Sequence, residues 1–326
     1  MRNTFILGLL LMSACATSPE GNQSPGPTAG QSWPVSLSAR ATLDLVWIPP
    51  GTFTRGSPVD EPGRKPDESP QARVTLTRGF WLGKTFVTIG QWKSVMGLDV
   101  RGELQKAIND DTPYELGDQQ QKLRDFMHWS RAADPALYLG NEDDDLPMYF
   151  VSWNEAMEFA RKLTGRERAA GRLPAGYEYS LPTEAQWEYA CRAGSTGATY
   201  AGPNNPAVLD QIAWYDQNSA AGYSGRRLGP TRSGPRAVAQ KQPNAWGLYD
   251  MQGNIWQWCR DWYGPYPRGD VTDPIGPESG TARVNRGGSF GSGAHALRSA
   301  ARAANPPPEA SAYRGFRVAL SPAAPK

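Results

Sequence analysis

The segment Pro243–Tyr263 reads PNAWGLYDMQGNIWQWCRDWY and places four of the chain's twelve tryptophans around two glycines. Large aromatic side chains bury much area, yet they cannot pack this densely around one regular element. We therefore expect a buried turn in which Gly247 and Gly253 adopt backbone conformations that side chains disfavour. The polar groups of Asp250 and Gln257 should then find partners inside the protein, because buried polar atoms are almost always hydrogen-bonded.

The composition of the whole chain indicates which class of protein this is. The 326 residues include 35 Gly, 29 Pro, 12 Trp and 13 Tyr, which indicates an aromatic core held by many turns with little regular structure. The formal net charge is +2, and no block of basic residues is suited to nucleic acid. We therefore expect no nucleic-acid partner.

Three helices are predicted where a hydroxyl residue is followed three positions later by Glu or Gln, the spacing of a capping box. The pairs are Thr88 with Gln91, Ser152 with Glu155, and Thr183 with Gln186. Apolar residues at helical spacing follow each pair, and a glycine at 97, 165 or 194 should end each helix. Strands are predicted at Leu43–Ile48, Arg73–Leu76, Arg283–Arg286 and Gly315–Leu320.

Four ordered motifs resemble the formylglycine-generating enzyme family, also called the sulfatase-modifying factor family. They are Asn244–Met251 with Gly253–Trp258, Leu181–Gly194, Arg286–Phe290, and Arg298–Arg302 with Gly315–Arg317. Together with Val46–Phe53 they spread over most of the chain. The resemblance implies one irregular, mixed α+β domain over residues 39–322, similar to C-type lectins, with few short strands, about three helices and much loop.

Residues 98–146 form a stretch that is longer than an ordinary loop, so we expect an insertion in the domain. A helix within Gln119–Trp129 is predicted. The acidic run Asn141–Asp145 is typical of a solvated loop, because consecutive carboxylates repel one another. A second cation site at this run is the alternative.

The first residues predict export. Arg2, the apolar run Phe5–Met12 and the small residues before Cys15 are typical of a signal peptide over residues 1–14. Leu11–Cys15 resembles a bacterial lipobox, so we expect a lipid on Cys15 and a tether over residues 15–38. Ala16 resembles an outer-membrane sorting signal, which implies that the protein lies at the periplasmic face of the outer membrane. Its contact with the membrane would be through the lipid anchor only. An ordinary secretory peptide is the alternative.

The resemblance implies redox chemistry that these residues do not support. The family's oxidases bind copper with two cysteines, and their positions fall at Ala294 and Ser299. Copper(I) selects soft thiolates, so copper is not expected. Cys191 and Cys259 lie elsewhere in the family pattern and form either a disulfide or two buried thiols.

Hydrolytic chemistry is also disfavoured. His128 and His295 are the only histidines, and neither has a neighbour at zinc-ligand spacing. Gly287–Gly291 matches G-x-S-x-G, but a nucleophile elbow needs a histidine well downstream of an acid, and only His295 follows it. No catalytic residue is therefore assigned.

Two binding sites are implied by the resemblance. A cleft would be lined by Trp256, Ser289, His295, Arg298 and Ser299. For His295, a hydrogen-bonded place in a polar loop is the alternative. A structural Ca²⁺ would be held by Asp250, the carbonyls of Gly253 and Ile255, and Gln257. Glutamine stands where the family usually has glutamate, and the lost charge should weaken calcium binding.

Charged residues beside apolar segments predict buried ion pairs between the C-terminal strands and the third helix. The candidates are Arg286, Arg298, Arg302 and Arg317 on one side and Glu184, Glu188 and Asp261 on the other.

The favoured function is a non-catalytic module of an envelope lipoprotein that binds a peptide, a glycan or an envelope protein. The alternative is an oxidase that acts on an exported peptide or sulfatase.

Overall fold

The computed structural model describes residues 26–116, 118–132, 134–224 and 233–323. The predicted signal peptide, Cys15 and the first part of the tether lie outside the described residues. None of the helices in the described ranges is long and apolar enough to cross a bilayer.

The described residues contain six α-helices, two more than the four predicted. They are α1 (Ile89–Met96), α2 (Val100–Asn109), α3 (Leu123–Phe126), α4 (Trp153–Ala169), α5 (Glu184–Arg192) and α6 (Pro206–Ile212). The predicted capping boxes open α1, α4 and α5, since the hydroxyls of Thr88, Ser152 and Thr183 each accept a hydrogen bond from the third helical residue. The predicted stop of α4 at Gly165 is wrong, because this glycine is exposed and the buried Glu167 continues the helix.

Fourteen short strands accompany these helices in the described ranges. They are β1 (Ser32–Ser38), β2 (Ala41–Ile48), β3 (Gly51–Arg55), β4 (Ala72–Leu76), β5 (Phe80–Gly83), β6 (Pro113–Leu116), β7 (Gln119–Lys122), β8 (Tyr177–Ser180), β9 (Trp256–Trp262), β10 (Val271–Thr272), β11 (Arg283–Arg286), β12 (Arg302–Asn305), β13 (Arg314–Gly315) and β14 (Ala319–Pro322). The predicted strands at β2, β4 and β11 are confirmed. The single strand predicted at Gly315–Leu320 is instead divided into β13 and β14, and Arg317 lies in the break between them.

The strands form four small sheets, with a mixed α+β architecture as predicted. Their orders are β1-β2-β5-β14-β8, β10-β4-β3, β12-β11-β9-β13 and β6-β7. Only the pairs β10 with β4 and β13 with β9 are parallel within the described sheets. Chain segments far apart in sequence therefore meet in every larger sheet.

The folded part begins before residue 39, inside the segment assigned to the tether. Strand β1 pairs antiparallel with β2, and Ser32 lies opposite Val46. Val35 and Leu37 alternate with exposed residues and are buried, which is the pattern of a strand with one face on the core.

The insertion at residues 98–146 has secondary structure of its own. It contains α2, the hairpin β6-β7, α3 and a turn of 3-10 helix at Pro135–Leu137. The predicted helix within Gln119–Trp129 is reduced to α3, because Gln119–Lys122 pairs with β6. In the acidic run, Glu142 accepts a hydrogen bond from Arg101 at 3.0 Å, and Asp144 lies 3.4 Å from Lys93. These carboxylates therefore pair with exposed cations on α2 and α1.

Helix α5 connects the fold to the candidate site. Trp187 and Cys191 are fully buried on α5, in one hydrophobic cluster with Cys259 of β9 and Val284 of β11. The helix is so deeply enclosed that Glu184 and Glu188 are buried with it, at 6% and 0% exposure. Each buried carboxylate needs a cation beside it.

Candidate functional site

The aromatic turn has the backbone conformation that its glycines predict. Gly247 and Gly253 have φ of 77° and 80°, in the left-handed region. A Cβ on Gly253 would lie 2.5 Å from the carbonyl oxygen of Trp214, so no side chain fits there. The side chain of Asn254 accepts a hydrogen bond from the backbone amide of Arg236 at 3.0 Å and donates one to the backbone carbonyl of Arg236 at 2.9 Å.

The side chain of Gln257 has protein partners on both ends of its amide. Its nitrogen donates to the carbonyls of Asp250 and Met251 at 3.0 and 3.1 Å. Its oxygen accepts from the indole of Trp187 at 2.8 Å and from Nε of Arg317 at 2.7 Å. The amide thus connects α5, the turn and the segment before β14.

The predicted calcium ligands do not fit a cation at Gln257. The oxygen that would bind Ca²⁺ already accepts two hydrogen bonds, and one donor is the guanidinium of Arg317. The same guanidinium donates to the carbonyls of Tyr249 and Asp250 at 2.8 and 3.2 Å. An arginine thus supplies positive charge to the turn. The carboxylate of Asp250 accepts from the amide of Ala239 at 2.8 Å, and burial raises its pKa. Calcium binding through the remaining oxygens stays a prediction.

The predicted ion pairs are confirmed for Arg286 and Arg302. Arg286 is fully buried and donates to Glu184 at 3.0 Å and to Glu188 at 2.7 Å. Arg302 donates two hydrogen bonds, of 2.6 and 2.8 Å, to the carboxylate of Glu184. Arg192, not predicted, adds two bonds to Glu188. Strands β11 and β12 are therefore joined to α5 by paired charges.

Arg298 pairs with carboxylates that were not among its predicted partners. Its Nη1 donates to Glu61 at 2.7 Å and to Glu68 at 2.6 Å, and its Nη2 donates to Glu68 and to the carbonyl of Gly63. Burial opposes ionisation of Glu68, but the hydrogen bonds from Arg298 hold its pKa below the ordinary value. Nothing in the sequence places residues 61–68 beside residue 298.

Two members of the predicted charge network are not ion-paired. Among the described residues, Arg317 has no carboxylate within 4 Å and is bound by carbonyls and Gln257. Burial lowers its pKa to about 10. Asp261 accepts a hydrogen bond of 2.8 Å from the backbone amide of Glu184. Burial, together with the charge of Glu184, raises the pKa of Asp261 to about 7.

A pocket of about 290 Å³ contains two of the five predicted cleft residues, Trp256 and His295. Trp256 is half-buried at the start of β9, and His295 is exposed. Lys65, the loop Gly291–Gly293, Arg302 and three alanines also line it. Lys65 was missed because it comes from a loop distant in sequence. We refer to this cavity as the Trp256 pocket.

The other three predicted cleft residues do not line the Trp256 pocket. Ser289 is buried, and its hydroxyl lies 3.0 Å from that of Ser292. Arg298 is enclosed by its carboxylate partners. The hydroxyl of Ser299 lies 3.4 Å from the amide nitrogen of Gln252 and is fully buried. These residues shape the loop from inside and do not face the opening.

Comparison with known families supports the resemblance. The family model described as the sulfatase-modifying factor enzyme 1-like domain matches residues 34–322. The chain belongs to the sulfatase-modifying factor family. The match includes the aromatic turn, α5 and the C-terminal strands, and it begins within β1.

Relatives in the sulfatase-modifying factor family differ in what their names describe. The formylglycine-generating enzyme of Streptomyces coelicolor is 29% identical, over 94% of this chain and 96% of its own length. The chaperone protein LppX of Paenibacillus barcinonensis is 29% identical, over 78% of this chain and 82% of its own. The inactive C-alpha-formylglycine-generating enzyme 2 of Mus musculus is 27% identical, over 86% of this chain and 87% of its own length.

Solved structures confirm the fold of the family. PvdO from Pseudomonas aeruginosa superposes with a TM-score of 0.65 at 23% identity, covering 91% of this chain and 100% of that one. Treponema denticola variable protein 1 superposes with a TM-score of 0.63 at 23% identity, covering 88% and 98%.

The two cysteines of the domain are buried in environments that disfavour a reactive thiolate. Cys191 and Cys259 are free thiols with no exposed surface, so the disulfide alternative is wrong for the structure described. Burial raises the pKa of Cys191 to about 11 and that of Cys259 well above its ordinary value. A thiolate is the nucleophile and metal ligand, and both sites disfavour it. The described residues also contain no group of three or more His, Cys, Asp or Glu side chains placed to hold a metal ion.

Proposed function

We propose that this protein is a non-catalytic member of its family that binds a peptide segment of an exported partner at the Trp256 pocket. One observation carries the proposal. The chain has three cysteines, none lies between Arg286 and Arg302, and the two in the domain are enclosed in its core. The pocket therefore has no thiolate to bind a redox metal or to attack a substrate.

The lining of the Trp256 pocket favours a peptide. Its volume of about 290 Å³ is at the lower limit for a site that encloses a whole small molecule. It has room for one or two side chains. The half-buried indole of Trp256 offers an apolar contact, while Lys65 and His295 offer polar ones at the opening. The Gly291–Gly293 loop lets a second backbone approach closely.

Two relatives support a binding role. One is named a chaperone and another an inactive member, so the scaffold exists in proteins whose names describe no oxidation. The formylglycine-generating relatives support the alternative, an oxidase. Fold alone does not choose between these activities, because functions are carried by sites.

Peptide binding can be tested with a displayed library of random peptides and the full chain. We expect the selected peptides to lose about tenfold in affinity in the double variant Lys65→Ala/His295→Ala, as measured by fluorescence polarisation. Both side chains are exposed, so the fold should survive. Lys93→Ala on α1, also exposed and outside the pocket, should bind as the parent does. Unchanged affinity in the double variant would remove the pocket from consideration.

The same sample decides the catalytic alternative. A Cys-x-Pro-x-Arg peptide incubated with the protein, oxygen and copper(I) should form no aldehyde in mass spectrometry, and oxygen consumption should not exceed that of the same mixture without the protein. Formation of the aldehyde would establish an oxidase and overturn the proposal.

We further infer that the protein is an envelope lipoprotein anchored through Cys15. The support is the basic Arg2, the apolar run Phe5–Met12 and the small residues before Cys15. Expressed in a bacterium fed labelled palmitate, the full chain should carry label and partition with membranes. Cys15→Ala should lose both, while Cys191→Ala should keep both. Label on the Cys15→Ala variant would contradict the lipid assignment.

A further inference from the structure

A second pocket lies beside the buried ion pairs and shares only Arg302 with the Trp256 pocket. Its volume is about 400 Å³, within the range of small-molecule sites. Much of its wall is apolar and rigid: Trp262, Pro265, Tyr266, Pro267, Pro274 and Pro277. Ile275 lies at the rim with 63% of its surface exposed. We refer to this cavity as the Arg55 pocket.

Arg55, at the end of β3, lines this pocket with most of its donors unused. Only 3% of the residue is exposed. Its guanidinium makes one hydrogen bond within the described residues, from Nη2 to the carbonyl of Pro267 at 3.3 Å. Its Nε is buried without a partner there. An arginine has five N–H donors, and a buried charged group usually finds a partner for them.

No carboxylate of the described residues lies within ion-pair distance of Arg55, whereas its buried arginine neighbours are all paired. Arg286 and Arg302 bind Glu184, and Arg286 also binds Glu188. The guanidinium carbon of Arg55 lies 3.9 Å from the centre of the Tyr266 ring, a contact that orients the group but supplies no anion. Burial lowers the pKa of Arg55, which is the effect of a cation without sufficient compensation.

No acidic residue in the wall forms an ion pair with Arg55. Both oxygens of Glu184 accept hydrogen bonds from Arg302, and one of them also accepts from Arg286. Asp261 directs one oxygen to the backbone amide of Glu184. Within the described residues, the pocket therefore combines a buried cation that has no ion-pair partner with an apolar wall.

We propose that the Arg55 pocket binds a small organic carboxylate, with the carboxylate on the Arg55 guanidinium and an apolar body between the prolines and Tyr266. A planar carboxylate matches the fork of an arginine with two parallel hydrogen bonds. A doubly charged phosphate fits less well, because it would place a second negative charge near Glu184 in an apolar wall. This inference does not depend on peptide binding at the Trp256 pocket.

Titration of the full chain with benzoate, benzamide and inorganic phosphate, followed by ligand-detected NMR, tests the proposal. We expect benzoate to bind at least tenfold more tightly than benzamide or phosphate. Benzamide has the same shape without the charge, and phosphate has the charge without the apolar body. Equal binding of benzoate and benzamide would overturn the role of Arg55, and equal binding of benzoate and phosphate would overturn the apolar half of the site.

Variants locate the binding. Arg55→Gln should reduce benzoate affinity at least tenfold. Because a buried change can impair folding, the exposed rim provides an independent test: Ile275→Glu should weaken benzoate several-fold by repulsion, and Ile275→Lys should not. Val59→Glu adds the same charge at a residue that is 85% exposed and outside the pocket, and should leave affinity unchanged. Benzoate affinity that is equal in the Ile275→Glu and Ile275→Lys variants would contradict binding here.

Discussion

Arg298→Met should lower the free energy of unfolding by about 3–5 kcal/mol, the usual effect of removing one partner from a buried ion pair. Arg298 and Glu68 are both fully buried. Without the guanidinium, Glu68 would keep only the hydroxyl of Ser57 and the amide of Lys65 as donors. The carboxylate would then either remain as an uncompensated buried charge or take up a proton. Urea unfolding at pH 7 measures the loss.

Two further variants separate charge from packing. Arg298→Met/Glu68→Gln should recover part of the loss, because no lone charge is left in the interior. Arg161→Met on α4 breaks a pair with Glu158 whose arginine side chain is 71% exposed, and it should change stability by less than about 1 kcal/mol. If Arg298→Met unfolds like the parent but loses peptide binding, Arg298 belongs to the cleft as the sequence suggested, and its structural role is refuted.

Local sequence signals predicted local structure well. The capping boxes at Thr88, Ser152 and Thr183 fixed three helix starts, because the hydroxyl and the side chain three residues later bond within one turn. Gly247 and Gly253 gave the turn its left-handed positions for the same local reason. Strand β1 was missed although its Val35 and Leu37 alternate correctly, because the surrounding Ser, Pro and Gly suggested a tether.

Partners distant in sequence could not be predicted with the same success. The arginines beside apolar segments indicated buried charge, but which carboxylate each one meets depends on the packing of loops. Arg298 pairs with Glu68, 230 residues away, and Arg317 pairs with carbonyls. The prediction of which residues line the cleft failed for a similar reason. A single loop contains both Ser289 and His295, yet the side chain of Ser289 is buried and that of His295 is exposed to solvent.

Asp261 should make the protein less stable as the pH rises from 5 to 8. Burial and the charge of Glu184 raise its pKa in the folded protein from the ordinary 3.8 to about 7. Between these two values the folded state holds a proton that the unfolded state has lost. This proton favours the folded state fully below pH 4, and the advantage is lost as the pH rises through 7. Between pH 5 and pH 7 the free energy of unfolding should therefore fall by the equivalent of about two pKa units, or about 2–3 kcal/mol.

Asp261→Asn should remove this dependence. Its amide oxygen can accept the hydrogen bond from the backbone of Glu184 that the carboxylate accepts now, at 2.8 Å. The stability of the variant relative to the parent, from urea unfolding, should therefore increase by about 2–3 kcal/mol between pH 5 and pH 8. Asp118→Asn, at an exposed residue, should show no such increase. Because the comparison is between variant and parent, the other titrating groups cancel. A relative stability that stays constant with pH would mean that Asp261 is already ionised in the folded protein, and a cation must then lie closer to it than the structure places one.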